Sequence, residues 1–427
     1  MLPFRPPPVS DPTLILELKT RRPPSLEGRA GCESWSVDFS PDGDWFAWSM
    51  GHGIVWVVAW PLDSEKQDRK TTKRFKYKTS ISTKKTDRED KSFSCGHPVW
   101  GLAFGPRPPK SAAWARPAKT RPQGNNSLLL ATGLENGVIK IWNVLTGNAV
   151  FDLRGHEGVV RDLVFPQNGT LTLISSSRDK TLRIWDLAQK GKKVQVLSGH
   201  KDWISCCSVS SDCSMIASVG RFDRMACLWS LRSYTFMRNL TGGTRKTLYL
   251  QSSCDFSPDG ALLATTAFSG SSWWIDLWDP YTAEKLATLV RLSASLRSSC
   301  TCFWKGLIAD GCVCLCRALR IWEPGKKGMA MQTKVDRETN GLCCKYHPRG
   351  GVVATGTRDG HVQFWRVPTT VPSLRHLCRS VLRHAVSTHQ MEPLPLPKRI
   401  LEYLTYRNIP DRLKTCCSSS DDDEWEG

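Results

Sequence analysis

The fold of this 427-residue chain is decided by GHEGVVRDLVFPQNGTLTLISSSRDKTLRIWD, residues 155–186. Short runs in which apolar and other residues alternate, such as 181–185, flank a turn at 166–169 that contains proline and glycine. Alternation with a period of two is typical of half-buried strands, and proline with glycine is typical of a tight turn. The stretch therefore predicts antiparallel strands joined by short turns.

The same unit recurs along the chain at a nearly constant period. An apolar strand ends in tryptophan at Trp60, Trp142, Trp185, Trp229, Trp278, Trp322 and Trp365, and the last five spacings are 43, 44, 49, 44 and 43 residues. About 40–45 residues are expected of one four-stranded propeller blade. The phrase Phe-Ser-Pro-Asp-Gly or a relative follows the first strand at 39–43, 165–169, 256–260 and 346–350, with weaker copies after Phe104, Val209 and Phe303. These markers predict an all-β, seven-bladed propeller over residues 12–368.

Four polar or aromatic residues of the quoted copy form a recognisable set. His156, Ser175, Asp179 and Trp185 resemble the hydrogen-bonded set of the WD-repeat family. The resemblance implies that the carboxylate ties the histidine-bearing turn to the end of a strand through charge-assisted bonds, so the roles are structural and not catalytic. Other copies contain only part of this set. A glycine precedes His97 and His200, as in the quoted copy, but the corresponding place at 242–243 lacks a histidine.

A short apolar strand precedes the first complete copy. Residues 12–18 include Leu14-Ile15-Leu16-Glu17-Leu18, and no strand pattern follows Trp365 before the C-terminal segment. A ring has to cover its last edge strand, because open edges pair promiscuously. The strand is therefore predicted to close the ring by pairing into the blade that ends at Trp365, and the proline-rich residues 1–11 are predicted to be a free tail.

Two insertions and one irregular segment interrupt the repeat. Residues 61–94 are basic and rich in Ser and Thr, which predicts a disordered insert, and 105–126 read as a proline-rich loop. Residues 304–317 are short and their acidic turn residue is displaced, which leaves open whether they form a normal blade. Three alternating cysteines there, Cys312, Cys314 and Cys316, would share one face of a strand. A buried thiol face is favoured over a soft-metal site, because no spacing typical of zinc ligands completes it.

The segment after the propeller carries two apolar patterns. Five residues lie three, four, seven, eight and eleven positions after Leu374, which places all six on one stripe of a helix. They are Leu374, Leu377, Cys378, Val381, Leu382 and Ala385. Arg375, Arg379 and Arg383 fall on the face turned away from it. Leu394-Pro395-Leu396-Pro397 predicts an extended rod that leads into a short helix with Ile400, Leu401, Tyr403 and Leu404. About 35 residues cannot bury a core of their own, so the propeller or another protein must cover these stripes.

Together the two patterns resemble the SOCS box, here residues 371–407 followed by an acidic, disordered tail at 408–427. The resemblance implies that elongin C is contacted by Leu374, Leu377, Cys378, Val381 and Leu382. It implies that cullin 5 is contacted by Leu394, Pro395, Leu396, Pro397, Ile400, Tyr403 and Leu404. The whole chain resembles the WD-repeat and SOCS-box-containing family, which implies a substrate-recognition subunit of a ubiquitin ligase. Its partners would be elongins B and C, cullin 5 with a RING subunit, and a protein substrate on the propeller.

Composition limits the other functions. The chain has 59 Lys and Arg against 40 Asp and Glu, a net charge of +19, but the excess is not one stripe, so a solvated basic surface is favoured and nucleic acid is not expected. The 17 cysteines come without a signal peptide, and no apolar run approaches the ~18 residues of a membrane span. An intracellular protein, in cytoplasm or nucleus and with reduced thiols, is expected.

No catalytic motif, cofactor site or metal site is visible in the sequence, so an enzyme is not expected. The alternative to a ligase adaptor is a propeller scaffold that assembles signalling or RNA-associated proteins, with its terminal helix packed internally. The substrate, the oligomeric state and phosphorylation of Ser418–Ser420 cannot be read from the sequence.

Overall fold

The computed structural model describes most of the repeat and the C-terminal helices. The described residues are 13–19, 31, 33–61, 90–106, 128–223, 225–240, 250–269, 272–289, 292–293, 298–304, 307–313, 319–322, 329–332, 341–367 and 374–407. The predicted tails 1–11 and 408–427 lie outside them, as do most of the insert 61–94 and of the loop 105–126.

The described part contains short strands followed by three helices. The strands are β1 (Thr13–Lys19), β2 (Val37–Phe39), β3 (Trp45–Ser49), β4 (Ile54–Ala59), β5 (Lys91–Ser94), β6 (Val99–Phe104), β7 (Leu129–Leu134), β8 (Ile139–Asn143), β9 (Ala149–Leu153), β10 (Val160–Val164), β11 (Thr172–Ser177), β12 (Thr181–Asp186), β13 (Lys192–Ser198), β14 (Ile204–Val209), β15 (Met215–Gly220), β16 (Ala226–Ser230), β17 (Phe236–Asn239), β18 (Leu250–Phe256), β19 (Leu263–Ser269), β20 (Ser272–Trp278), β21 (Lys285–Thr288), β22 (Leu292–Ser293), β23 (Ser298–Trp304), β24 (Leu307–Val313), β25 (Leu319–Trp322), β26 (Met329–Gln332), β27 (Gly341–Tyr346), β28 (Val352–Thr357) and β29 (His361–Arg366). The helices are α1 (Leu374–Ala385), α2 (Thr388–Met391) and α3 (Lys398–Leu404).

The fold is a β-propeller, as the repeat predicts. The described strands form seven antiparallel sheets. Six are meanders of four consecutive strands, the seventh joins β1 to the meander β27–β29, and the short β22 pairs with β20. The first strands of successive sheets contact one another in the order β2, β6, β10, β14, β18, β23 and β27, and β27 contacts β2. The apolar core lies between neighbouring sheets. One cluster, for example, packs Val55 and Phe93 of the sheet β2–β5 against Leu130 and Trp142 of the sheet β6–β9.

One sheet is assembled from both ends of the repeat. The strand β1 pairs antiparallel with β29, so that Leu14 lies opposite Trp365 and Leu18 opposite Val362. Leu18 is buried in a cluster with Phe46 and Phe364, residues of two neighbouring sheets. The N-terminal strand thereby covers the edge that β29 would otherwise expose.

The prediction of a disordered insert over 61–94 is wrong at its C-terminal end. Residues 91–94 form β5, which pairs with β4 and completes the first sheet. Phe93 is 3% exposed and stacks on Trp142 of the next sheet, with 5.1 Å between ring centroids. A single buried aromatic ring therefore fixes a strand whose composition is otherwise that of a solvated segment.

A repeated bond holds the middle of many sheets. The indole N–H of the tryptophan near the end of the third strand donates to a hydroxyl on the second strand: Trp142 to Thr132, Trp185 to Ser175, Trp229 to Ser218, Trp278 to Thr265 and Trp365 to Thr355, at 2.8–3.1 Å. These rings are buried, and a buried indole N–H needs an acceptor. The tryptophans therefore recur in the sequence because the same hydrogen bond recurs in successive sheets.

The four residues of the quoted copy lie together. His156 Nδ1 is 2.6 Å from a carboxylate oxygen of Asp179, and its Nε2 is 2.7 Å from the hydroxyl of Ser175, which also accepts from Trp185. Asp179 further accepts from the backbone N–H of Glu157 and from the N–H and hydroxyl of Thr181.

A second complete set, which the sequence analysis missed, occurs in the next sheet. His200 is 2.8 Å from Asp223 and 2.8 Å from Ser218. The separation of histidine and aspartate along the chain is 23 residues in both copies. That constant separation is the signal that identifies Asp223, although an extra residue between the serine and the aspartate disguises the motif.

The irregular segment 304–317 contributes to a four-stranded sheet. The strand β24 pairs with β23 on one side and with β25 on the other. Cys314 and Cys316, and the side chain of Cys312, lie outside the described residues.

We expect Asp179→Asn to lower the free energy of unfolding by about 1–3 kcal/mol near neutral pH, because it weakens a buried hydrogen-bonded set. Burial acts to raise the pKa of Asp179, but the hydrogen bond and charge of His156 and the donors of Thr181 outweigh it, so the pKa lies well below its usual range. The stabilisation is therefore present above the unfolded-state pKa of about 4 and is lost as the pH falls further below it. Urea unfolding followed by tryptophan fluorescence should show the gap between wild type and variant narrowing in acid.

The matched control is Asp359→Asn, at the corresponding turn between β28 and β29, where the side chain is exposed. It should leave the unfolding free energy within about 0.5 kcal/mol of wild type. An equal loss in both variants would contradict a specific role for the buried set.

Candidate protein-docking site in the C-terminal helices

Three short helices follow the last strand of the propeller. The helix α2 is missing from the sequence-based prediction, although a signal for it exists: Ser387 and Gln390 have the spacing of a capping box, and the Ser387 N–H donates to the Gln390 side chain at 2.9 Å. Pro397 lies at the N-cap of α3, one residue before the helix begins. α1 and α3 contact each other, so the helices form one module.

The helix α1 is oriented with its charged side inward. Arg379 and Arg383 are 5% and 2% exposed, whereas Val381 is 71% and Leu382 45% exposed. Helices on the surface of a globular protein ordinarily turn their apolar stripe to the core. Here the two arginines occupy the inner face, so the described part of the apolar stripe remains outside.

Arg379 is held by aromatic rings. Its guanidinium carbon lies 4.3 Å from the ring centroid of Tyr403 and 3.8 Å from that of Tyr406, and one N–H donates to the Tyr403 carbonyl at 3.1 Å. The Tyr406 hydroxyl donates to Asp259 at 2.6 Å. Burial, and then the neighbouring charge of Asp259, raise the pKa of Tyr406, so the hydroxyl keeps its proton and stays a donor.

Arg383 is held by a polar relay. One N–H donates at 2.8 Å to the hydroxyl of Thr388, and that hydroxyl donates at 2.5 Å to Asp279. The guanidinium also lies 5.8 Å from the ring centroid of Tyr281. Thr388 is fully buried, so the hydroxyl that joins the arginine to the propeller is shielded from water.

Both propeller carboxylates belong to turns of one sheet. Asp259 lies between β18 and β19, where its other oxygen accepts from Ser257 and from the N–H of Ala261. Asp279 lies between β20 and β21, where its other oxygen accepts from the N–H of Tyr281. Each carboxylate therefore shapes its own hairpin with one oxygen and binds the helical module with the other.

The outer part of this contact is more exposed. The His389 ring nitrogen Nε2 donates to the Tyr281 carbonyl at 2.9 Å. Arg407 lies 2.9 Å from Glu284 and 2.7 Å from Glu392. Exposed ion pairs of this kind contribute little, typically up to about 1 kcal/mol, so the buried contacts determine the orientation of the module.

The predicted elongin contacts lie on the outer face where they are described. Cys378, Val381 and Leu382 are exposed on α1. The side chains of Leu374 and Leu377 lie outside the described part of the structure. All the described cysteines are free thiols, but Cys378 is exposed whereas those of the propeller are buried or half-buried.

The predicted cullin contacts divide into two groups. Leu394 and Ile400 are 46% and 41% exposed, Pro395 and Pro397 are exposed, and Leu396 is half-buried. Leu404 is only 8% exposed, and Tyr403 is half-buried with its ring against Arg379. Leu404 is therefore a packing residue of the module, because the last turn of α3 faces inward.

Within the described residues, no group of three or more His, Cys, Asp or Glu side chains is arranged to hold a metal ion. None of the described helices has the length and apolar character needed to cross a bilayer.

Known protein families match both parts of this architecture. The family model of the WD domain, G-beta repeat, matches residues 147–186, 191–230 and 335–366, and that of the SOCS box matches 370–405. A zebrafish protein called WD repeat and SOCS box-containing protein 1 is 38% identical over 410 residues, which cover 90% of this chain and 93% of the relative. The human protein of that name is 36% identical over 411 residues, with the same coverage.

The chain belongs to the WD repeat and SOCS box-containing family. A relative from Xenopus tropicalis, also called WD repeat and SOCS box-containing protein 1, is 37% identical over 92% of this chain and 96% of its own. The matched SOCS box contains α1, α2 and α3. Thr388 of α2 bonds to Asp279, and Tyr406, which bonds to Asp259, lies one residue beyond the match. A propeller joined to a SOCS box indicates an adaptor-type protein.

We expect Thr388→Val to loosen the SOCS box from the propeller, because valine keeps the volume and removes the hydroxyl between Arg383 and Asp279. The loss of a buried hydrogen bond with a charged partner should cost about 1–3 kcal/mol of local stability. Amide hydrogen exchange across α1 should accelerate about tenfold or more.

The control for this variant is Thr405→Val, a buried threonine whose hydroxyl bonds to the Leu401 carbonyl within the module. It should leave exchange in α1 closer to wild type. If both valine variants accelerate exchange in α1 equally, the relay does not anchor the box.

Proposed function

We propose that this chain is the substrate-recognition subunit of an elongin–cullin 5 type ubiquitin ligase, in which the propeller binds the target and the SOCS box recruits elongins B and C and the cullin. The observation that carries the proposal is the inverted helix α1. Arg379 and Arg383 are fixed inside by Tyr403, Tyr406 and Thr388, so the described part of the apolar face is presented outward on a rigid base. An apolar face held away from its own domain favours a foreign partner over an internal role.

Elongin C is proposed to cover this face. Cys378, Val381 and Leu382 lie within two turns of one helix, and apolar side chains of a helix face are suited to a complementary groove. Residues that fill a partner's pocket often cost about 2 kcal/mol or more on truncation. The family likeness supports elongin C, with elongin B, as the partner.

Cullin 5, with its RING subunit, is proposed to bind the exposed part of the second segment. Leu394, Pro395, Pro397 and Ile400 form this surface, whereas Leu404 and Tyr403 support it from inside. The prolines fix the backbone of the extended piece, which lowers the entropy lost on binding.

Each of the seven described sheets is proposed to be one blade of a closed ring that holds the substrate. The order of contacts between the first strands supports this arrangement. The chain would supply no catalytic group of its own. Its contribution to ubiquitin transfer would be proximity, since it holds a substrate lysine near the charged ubiquitin carrier.

Two charge substitutions separate the proposed partners. Val381→Asp with Leu382→Asp should weaken binding of purified elongin B/C by about 30-fold or more, which corresponds to about 2 kcal/mol. Leu394→Asp with Ile400→Asp should keep elongin binding and lose cullin 5. Affinity capture of the full chain, followed by titration with each purified partner, measures both effects.

The matched control is Val194→Asp with Met237→Asp, two apolar side chains that are 42% and 41% exposed on the outer strands β13 and β17. It should leave both partners bound. Elongin capture that survives Val381→Asp with Leu382→Asp would contradict the proposal and favour a scaffold that does not assemble a ligase.

A further inference from the structure

A second unusual surface lies at the other end of the propeller. We call it the rim cluster, and it consists of Trp35, Trp100, Arg161, Arg178, Trp203, Arg221 and Phe222. Its residues precede or begin first strands, or lie in turns between second and third strands. In an antiparallel meander these positions share one edge of the sheet, and Asp259 and Asp279 share the opposite edge. The SOCS box therefore leaves the rim cluster uncovered.

Arginines and aromatic rings alternate across the rim cluster. The Trp35 and Trp100 rings are 4.5 Å apart between centroids. The guanidinium carbon of Arg161 lies 4.6 Å from the Trp100 centroid, and that of Arg178 lies 5.2 Å from Trp100 and 4.6 Å from Trp203. The ladder spans three adjacent sheets, because Trp100, Arg178 and Trp203 come from different ones.

The far side of the rim cluster continues this pattern. The Trp203 and Phe222 rings meet edge to face at 5.8 Å, and Arg221 lies 5.7 Å from Phe222. Trp203 and Phe222 are 40% and 46% exposed, which is high for such large apolar side chains.

The backbone holds these side chains in place. The N–H of Arg178 donates to the Val159 carbonyl at 2.9 Å, and the N–H of Arg221 donates to the Trp203 carbonyl at 2.8 Å. Each arginine-bearing turn is thus tied to the start of the first strand of its own sheet. A site formed in this way is preorganised, which reduces the entropy lost when a ligand binds.

The positive charge of the rim cluster is concentrated. Among the described residues, neither Arg161 nor Arg178 forms a salt bridge, although Arg161 is half-buried. Burial, and then the charges of Arg178 and Arg221, lower the pKa of Arg161 to about 10, so the group remains a cation near neutral pH. An anion brought to this place would relieve repulsion between like charges.

We propose that the rim cluster is the docking site for an extended acidic segment of the substrate protein, with Arg161 and Arg178 binding an oxyanion and Trp203 packing beside it. Stacking on an indole occupies the face of a guanidinium and leaves its N–H edge for bidentate binding of a carboxylate or a phosphate. The proposal rests on the proposed function only in naming the ligand a substrate.

The surroundings favour a peptide over a nucleic acid. The rim cluster opens into a central cavity of about 1030 Å³, whose wall carries Asp38, Asp162 and Asp255. These carboxylates would repel any anion that entered the cavity, so the negative charge of a ligand belongs at the rim. A nucleic acid needs a track of cations along its backbone, whereas the described arginines here form one compact group. One or two acidic side chains match such a group better.

The test uses the full-length chain and fluorescein-labelled peptides in fluorescence anisotropy. Three peptides share one sequence that differs only at two positions, which are both glutamate, both phosphoserine or both glutamine, and a single-stranded oligouridylate is the fourth probe. We expect at least one anionic peptide to bind about tenfold or more tightly than the glutamine peptide at about 0.15 M salt. Comparison of glutamate with phosphoserine identifies the oxyanion.

Arg161→Gln with Arg178→Gln should remove this preference, and Trp203→Ala should weaken the anionic peptide about fivefold or more at an unchanged melting temperature. Because Arg161 is half-buried, Arg178→Gln alone is the second variant. The matched control, Lys192→Gln with Lys193→Gln, changes the same charge on exposed residues of the outer strand β13 of the same sheet. It should bind like wild type.

The proposal is overturned if the anionic and neutral peptides bind equally, if Arg178→Gln binds like wild type, or if the oligouridylate binds more tightly than both anionic peptides. None of these outcomes depends on elongin. If the chain captures elongin B/C but binds the anionic and the glutamine peptides equally, only the rim proposal is refuted. Failure of elongin capture refutes the ligase assembly alone.

Discussion

The architecture depends on burying two arginines under a short helix. Removing a guanidinium from water costs several kcal/mol unless close partners compensate for it. For Arg379 the partners are two tyrosine rings and a backbone carbonyl, and for Arg383 they are Thr388 and, through it, Asp279. If α1 rotated about its axis, the guanidinium groups would lose these partners. The described apolar residues of α1 therefore have one stable orientation, which is away from the propeller.

The propeller supplies a rigid base for that arrangement. Indole to hydroxyl bonds fix the middle of five sheets, and His–Asp–Ser contacts lock two of them. The turns that carry Asp259 and Asp279 are already shaped by their own hydrogen bonds before the helices dock. The rim cluster lies at the opposite end of the propeller, on the four sheets that contain β2 to β17. The two ends of the propeller thus carry different surfaces, the anchored helical module at one end and the rim cluster at the other.

The sequence predicts the propeller because the tryptophan period reflects one bond that recurs in the sheets. The same regularity explains where the prediction was wrong or incomplete. The strand β5 was assigned to the disordered insert, since only Phe93 distinguishes it from its basic surroundings. Asp223 was missed because one extra residue separates it from Ser218. Its separation from His200 along the chain is nevertheless the same as that of Asp179 from His156.

For the C-terminal helices, the sequence shows an apolar stripe and an arginine face but not which of them is buried. An amphipathic helix can bury either its apolar face or its charged face, and hydrophobicity alone favours burial of the apolar face. The choice is made by groups far away in the chain: Asp259 and Asp279 lie more than 100 residues before Arg383. No local pattern contains that information. Likewise, Leu404 belongs to the same short helix as Ile400, and only the packing shows that one is buried and the other exposed.

The point of attachment of the helical module has a mechanical consequence. The chain leaves the propeller from β29, in the sheet that β1 completes, yet the module is anchored on the sheet β18–β21. The sheet β23–β26 lies between those two in the ring, because β23 contacts both β18 and β27. The module is therefore joined to one sheet through the chain itself and to another through buried side-chain contacts. A load on the module would therefore act on the sheet β18–β21 as well as on the sheet from which the chain continues.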